Sequence, residues 1–370
     1  MILSKKIRLK PTKEQEKTLY KSANIARFVY NWTLNKQEES FKLGNKFISD
    51  NDLRKEITIL KKSELNWLNE VSNNVAKQAV KDGCNAYKNF FKKIAKKPRF
   101  KSKKKSKLSF YNDCVKLKFK TNLVLIEKVG WVKCNESLVN QKFTNPRVSF
   151  DGKYWYLSVG IEKTKEKEEL NDVSLGIDLG IKDTAILSNG KKYKNINKKV
   201  NVKKTNKRLK RLQKQVSRKY ENNKEGKHYH KTANIVKLEK QIRLLHRKLA
   251  NIRLNYNHQI TTEIVKTKPS QIVIEDLNIK GMMKNHHLSK AIAEQSLYQF
   301  TQLLTYKCEL YGIKLVKANR FFPSSKTCSE CGCVKSTLKL SERVYKCEEC
   351  GSELDRDLNA AINLSNYKCS

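Results

Sequence analysis

No stretch of the chain approaches the ~18 consecutive apolar residues that a membrane-spanning helix needs. The first residues, MILSKKIRLKPT, lack an apolar core followed by a small-residue cleavage site. The sequence thus predicts a cytoplasmic protein with no membrane partner. Its ten cysteines would be reduced there, so a disulfide framework is excluded and clustered cysteines point to metal. Acidic side chains are also scarce. There are 36 Asp and Glu against 79 Lys and Arg, a formal net charge of +43 and a pI near 9.8. That balance predicts a polyanionic partner, and nucleic acid fits best. A ribosome-like basic protein or a mere solubility device are the plainer readings. The chain is also 38% hydrophobic, so real cores can form, and 370 residues suffice for two to four domains.

Ser4 to Lys10 alternates like a strand, and Thr12 with Gln15 forms a capping box opening a helix. Leu19, Ala23, Ala26, Tyr30 and Leu34 follow at helical spacing. Helical pattern continues from about residue 50 to 95 and ends in a basic run interleaved with Phe90, Phe91 and Phe100, which suits a nucleic-acid contact. Residues 108–162 read as strands, with Asp151-Gly152 as a hairpin turn. With the N-terminal strand they predict a small β-barrel into which the helical segment is inserted. Residues 163–172 read as a linker. From 173 come two strands and a turn at Asn189-Gly190, a very basic helix, a second long helix over 231–266, a strand, a helix over 291–311 and a further strand. Core packing does not account for so much charge on the two long helices, so their exposed faces are expected to follow phosphates.

Cys328-x2-Cys331 and Cys347-x2-Cys350, fifteen residues apart, have the spacing of two zinc knuckles. Gly332 and Gly351 suit the tight turns. Four protein thiolates fill a tetrahedron, so one structural Zn²⁺ is expected. A redox Cys-x-x-Cys is the alternative. Cys333 is left over, and Cys84, Cys114, Cys134, Cys308 and Cys369 are scattered.

The apolar run Ile272-Val273-Ile274 ends directly in Glu275 and Asp276. A buried strand does not close on unpaired carboxylates without reason. Asp178 lies within another predicted strand, and Asp357 near the start of the last helix. An αβ domain can gather such acids at the C-terminal rim of its sheet. Converging carboxylates need cations. Two Mg²⁺ ions about 4 Å apart would clamp the attacking water and leaving oxygen of a phosphodiester. Asp183, Asp276 and Asp355 are neighbours that could replace a member, Asp355 being the nearest rival of Asp357.

GIDLGIKDTA (176–185), IVIEDLNIKGM (272–282), the four-cysteine segment after FFPSSKTCSECG (321–332) and DRDLNAAINL (355–364) together resemble the TnpB proteins of bacterial insertion sequences, relatives of the compact type V CRISPR effector nucleases. FVYNWTLN (28–35) and PRFKSKKK (98–105) agree less specifically. The resemblance spans nearly the whole chain. It implies a multidomain α/β protein. A wedge-like β-barrel would comprise residues 1–10 and 108–166, with a helical recognition insertion over 11–107. A RuvC-like nuclease domain of RNase H fold would comprise 172–322 and 352–370, interrupted by a zinc ribbon at 323–351. It further implies an RNA-guided DNA endonuclease of a transposable element, cutting double-stranded DNA beside a short flanking motif. The partner would be a guide RNA carried by a monomer, in a bacterial or archaeal cytoplasm and on the nucleoid when bound to DNA. The family's acidic triad falls on Asp178, Glu275 and Asp357, none of them replaced. Tyr30, Asn31, Trp32 and Asn35 are candidates for reading the flanking motif, or for helix packing. A DNA-joining transposase or accessory transposition protein and a non-cleaving RNA-guided repressor are the alternatives.

Overall fold

Strand β1 (Ile2–Lys10) gives way to helix α1 (Lys13–Lys42) through the expected box: the Gln15 N–H donates to Thr12 Oγ1 at 3.3 Å and the Thr12 N–H to Gln15 Oε1 at 3.0 Å. The fold is seen in a computed structural model that describes residues 1–103, 106–164, 169–339 and 342–367. Cys369, residues 104–105 of the basic run and 165–168 of the expected linker lie outside the described residues. The chain divides into two units, Met1–Lys163 and Thr164–Ser370.

In the first unit, Leu19, Ala23, Ala26, Tyr30 and Leu34 are all buried along α1, as their spacing predicts. Helices α2 (Asp50–Leu60) and α3 (Asn73–Phe91) follow. The strands are β2 (Ser109–Tyr111), β3 (Lys118–Lys120), β4 (Leu123–Ile126), β5 (Gly130–Cys134), β6 (Phe143–Phe150) and β7 (Trp155–Glu162). They and β1 form one seven-stranded sheet in the order β2-β6-β7-β1-β5-β4-β3. All its pairings are antiparallel, and β1 runs along β7 from Ile2↔Glu162 to Leu9↔Trp155. Asp151 Oδ1 accepts from the N–H groups of Lys153 and Tyr154, and Gly152 takes φ +93° in the β6–β7 turn. The end strands β2 and β3 do not pair with each other, so the sheet is a curled half-barrel rather than a closed barrel. Helix and strand side chains share one core, with Leu19, Ala23 and Val80 beside Val148, Trp155 and Leu157. The helices supply the wall that a closed barrel would build from its own strands.

The second unit begins with β8 (Asn171–Asp178), β9 (Asp183–Leu187) and β10 (Lys192–Lys194). Residues 171 and 172 therefore belong to a strand rather than to a linker. Helix α4 (Val200–Glu221), the small ribbon of β11 (Lys224–Glu225) and β12 (His228–Tyr229), and helix α5 (Ala233–Lys266) form a long hairpin. β13 (Pro269–Glu275), α6 (Ile279–Met282), α7 (Ser289–Gln295), α8 (Leu297–Tyr311) and β14 (Lys314–Ala318) follow, then β15 (Val344–Lys346), β16 (Glu353–Asp355) and α9 (Arg356–Ser365). The main sheet has the order β10-β9-β8-β13-β14. β10, β9 and β8 are antiparallel neighbours, whereas β8, β13 and β14 run parallel. The single helix expected over 291–311 is broken at Ser296, which adopts a left-handed conformation at φ 56°. One face of the sheet buries Leu175, Ile177, Ile272 and Ile274 against Ile260 and Ile264 of α5 and Phe300 and Leu304 of α8. The other buries Val273, Val316 and Ala318 with Leu364 of α9. Among the described residues no helix is long and apolar enough to cross a membrane.

Candidate active site and metal centre

Strand alternation decides where the acids point. Ile272 and Ile274 face α5 and α8 while Val273 faces α9, so Glu275 falls on the α9 face. On β8, Leu175 and Ile177 face α5 and α8. Gly176 lies against α9 so closely that a Cβ would stand 1.9 Å from the Ala361 carbonyl oxygen and 2.5 Å from the Ser365 nitrogen. Asp178 shares the face of Gly176. Ile177 pairs in parallel with Ile274, so Asp178 and Glu275 end neighbouring strands side by side.

Helix α9 adds the third acid. It runs antiparallel to β8, with Ala361 over Gly176 and the Ser365 carbonyl accepting from the Ser174 hydroxyl at 2.7 Å. Stepping from Ala361 back to Asp357 covers about 6 Å of helix. Stepping from Gly176 on to Asp178 covers about 6.6 Å of strand. Asp357 is thus brought level with Asp178. Burial pushes the Asp178 carboxyl up to about 8, with the charges of Glu275, Asp357 and Asp355 adding to the rise and Arg356 opposing it. No side chain among the described residues donates a hydrogen bond to that carboxyl.

The neighbouring acids have other partners. Asp355 is the N-cap of α9: its Oδ1 accepts from the N–H groups of Asp357 at 3.0 Å and Leu358 at 3.2 Å, and its Oδ2 meets Lys192 Nζ at 2.8 Å. Burial works against the Asp355 charge, but these bonds hold its carboxyl below the usual range. Asp276 pairs with Arg320 at 2.6 Å. Asp178 is opposite Ile186, so Asp183 lies three residues beyond it along β9.

Three side chains that the sequence reading did not single out touch the two outer acids. Arg356 donates to Asp357 Oδ1 at 3.0 Å, Arg343 lies 3.7 Å from Asp357 Oδ2, and the Ser324 hydroxyl donates to Glu275 Oε1 at 2.6 Å. Arg356 stood within the quoted motif between two acids, which was a usable signal. Ser324 also lay within FFPSSKTCSECG, with nothing there to tie it to Glu275, and nothing local marked Arg343.

Cys328, Cys331, Cys347 and Cys350 bring all four sulfurs within 4.8 Å of one another. Among the described residues this is the one group of three or more potential ligands so tightly gathered, and the carboxylates above are more widely spread. The Cys328–Cys350 and Cys331–Cys347 sulfurs are 3.7 and 3.5 Å apart. Four thiolates at zinc–sulfur distance on a tetrahedron stand about 3.8 Å apart. The donor set therefore fits zinc with no position left open. Gly332 (φ 79°) and Gly351 (φ 72°) close the knuckles, their N–H groups donating to the Cys328 and Cys347 carbonyls. Burial pushes the Cys328 thiol up, but the backbone at Cys331 and the Ser352 hydroxyl outweigh it and bring it down to about 6. Cys333 lies outside the four-sulfur group. Cys84, Cys134 and Cys308 are buried, and Cys114 is half-buried.

Helix α4 buries Val202 and Leu209 against Leu249 of α5, and Leu212 is buried as well. Its other faces leave Lys203, Lys204, Lys207, Arg208, Lys210 and Arg211 exposed. In the first unit, Tyr30 is 8% exposed beneath Lys101, whose Nζ stands 3.7 Å from the ring centre. Asn31 spends both ends of its amide on the Lys101 backbone, at 2.9 and 2.8 Å. Trp32 packs on the core, and Asn35 bonds Glu39 on the surface.

Three family models match the chain: "Probable transposase" over residues 156–286, "Cas12f1-like, TNB domain" over 298–364 and "Helix-turn-helix domain" over 1–46. Residues 1–46 here contain a strand and one continuous helix. A Streptomyces pristinaespiralis protein named as a candidate RNA-guided DNA endonuclease is 31% identical over 365 residues, 97% of this chain and 87% of that protein. An Escherichia coli K12 protein named in the same way is 30% identical over 377 residues, 97% of this chain and 90% of that one. A solved Cas12f1–guide RNA–target DNA complex shares the fold, with a TM-score of 0.59 and 15% identity over 95% of this chain and 83% of that one.

Proposed function

Because this chain belongs to the TnpB family, we propose that it is an RNA-guided DNA endonuclease, cutting target DNA by metal-dependent phosphodiester hydrolysis beside a short flanking motif. One observation carries the reading: Asp178, Glu275 and Asp357 come from three distant segments yet share the α9 face of one sheet rim. A pure binder gains nothing from a half-buried carboxyl whose ionised form is opposed by its neighbours.

In this reading the 171–318 sheet and α9 are a RuvC-like domain of RNase H type, the cysteine segment is its zinc ribbon, and the first unit is a wedge with a helical recognition insertion. Asp178, Glu275 and Asp357 would hold Mg²⁺, which when bound neutralises the acids and supplies a polarised water and a counter-charge to the scissile phosphate. The chain's own residues do the rest. The α9 helix and Gly176 fix the spacing of Asp178 and Asp357. Ser324 orients Glu275. Arg356 and Arg343 sit against Asp357 and offset part of its charge. Zn²⁺ would be held by Cys328, Cys331, Cys347 and Cys350 and cross-link the ribbon. The exposed Lys and Arg of α4 would hold nucleic-acid backbone, while base pairing to a guide RNA supplies sequence recognition.

Co-expression with the flanking genomic sequence, followed by sequencing of co-purified RNA, tests the partner. Plasmid libraries with randomised flanks then test the activity in Mg²⁺. The expected result is guide-dependent cutting that Asp178→Ala abolishes while binding persists. Binding without cutting by the unaltered chain would mark a repressor, and joined ends would mark a transposase.

A further inference from the structure

Ser324 occupies an unusual place, 4% exposed and lying in the chain between β14 and the first cysteine knuckle. Its hydroxyl donates to Glu275 Oε1 at 2.6 Å. Its carbonyl accepts from Asn363 Nδ2 at 2.8 Å. The same amide donates to the Thr327 carbonyl at 2.7 Å. One turn earlier on α9, Asn359 Nδ2 donates to that Thr327 carbonyl at 2.7 Å, and Asn359 Oδ1 accepts from the Ser329 N–H at 3.0 Å. Asn359 is 0% exposed and Asn363 6% exposed. Two buried amides four residues apart on α9 therefore hold the backbone on both sides of Cys328.

This arrangement closes a ring. The helix that carries Asp357 grips the segment that carries Ser324, and Ser324 holds Glu275. The second knuckle enters the ring from the other side. Arg343, just before β15, accepts the Arg356 N–H through its carbonyl at 2.9 Å and reaches Asp357 with its side chain. A carboxylate on a strand end is free to rotate about its side-chain torsions unless a donor fixes one oxygen. Ser324 supplies the hydroxyl donor to Glu275 among the described residues, and the paired asparagines fix where that hydroxyl stands.

We propose that Ser324 is a positioning residue for the metal site, and that Asn359 and Asn363 couple the cysteine ribbon to it. The ribbon then does more than stabilise its own segment: it sets the orientation of Glu275. This rests on the reading of Asp178, Glu275 and Asp357 as metal ligands, and the test separates the two. Partners of this kind, one bond removed from a metal, typically change affinity by about 10- to 100-fold when removed.

The full-length zinc-loaded chain is titrated with Mn²⁺, and free Mn²⁺ is read by electron paramagnetic resonance. Zinc content and melting temperature are measured on the same samples. Ser324→Ala should keep one zinc and the melting temperature but weaken Mn²⁺ binding about tenfold, and Ser324→Thr, which restores the hydroxyl, should recover it. Unchanged Mn²⁺ affinity in Ser324→Ala overturns the proposal. If that variant does not fold, Ser324→Cys, which keeps the volume and weakens the donor, is read by the same criterion. Asp178→Ala is the control. Should it leave Mn²⁺ binding intact, the reading of the acids fails; should it abolish binding while Ser324→Ala does not weaken it, only the positioning role fails.

Discussion

Gly176 shows how much of the site depends on the absence of a single atom. A methyl group there would lie 1.9 Å from one backbone atom of α9 and 2.5 Å from another. Neither atom can move aside as a side-chain tip would, so Gly176→Ala must lift α9 from β8. Overpacking of this kind costs about 3 kcal/mol. Urea denaturation should show that loss, and cleavage should fall further than stability alone explains, because Asp357 moves with the helix. Gly180→Ala meets only one backbone oxygen at 3.2 Å and should cost less. Equal denaturation midpoints for Gly176→Ala and the unaltered chain would contradict this placement of α9. Gly176 and Gly180 stand on either side of Asp178 in the sequence, but the helix that packs on Gly176 could not be read from there.

At the scale of elements, the capping box, the buried stripe of α1, the Asp151-Gly152 hairpin and both cysteine knuckles were readable. Each is a local pattern whose physics acts within a few residues. What escaped the sequence depends on distant partners. The half-barrel stays open because α1 and α3 fill its wall, which no strand reveals by itself. The break at Ser296 between α7 and α8 is a single left-handed residue without the glycine that usually announces one. Asp355 and Asp357 look alike in the sequence; the structure gives Asp355 the cap bonds of α9 and Lys192, and Asp357 the contact with Arg356, which is why Asp357 is the one proposed as a ligand. The ribbon carries its own prediction. Cys347→Ser removes one of four sulfurs, so zinc measured by elemental analysis should fall well below one per chain and the melting temperature should drop. If zinc stays at one per chain, the ligand set is wrong.

Over the whole molecule, a net charge of +43 coexists with a cluster of acids at one sheet rim. The two features answer the same need. Exposed lysines and arginines along α4 would hold polyanionic backbone in a salt-dependent manner, whereas the acids would gather the divalent charge that the proposed backbone scission requires. A chain that only bound nucleic acid would show the first feature without the second. The most direct test of that account is crystallographic: crystals of the chain soaked in Mn²⁺ and measured at the manganese edge. Anomalous density between the carboxylates of Asp178, Glu275 and Asp357, absent in Asp178→Ala, is the predicted result. Manganese bound elsewhere, with no density beside these three side chains, would contradict it.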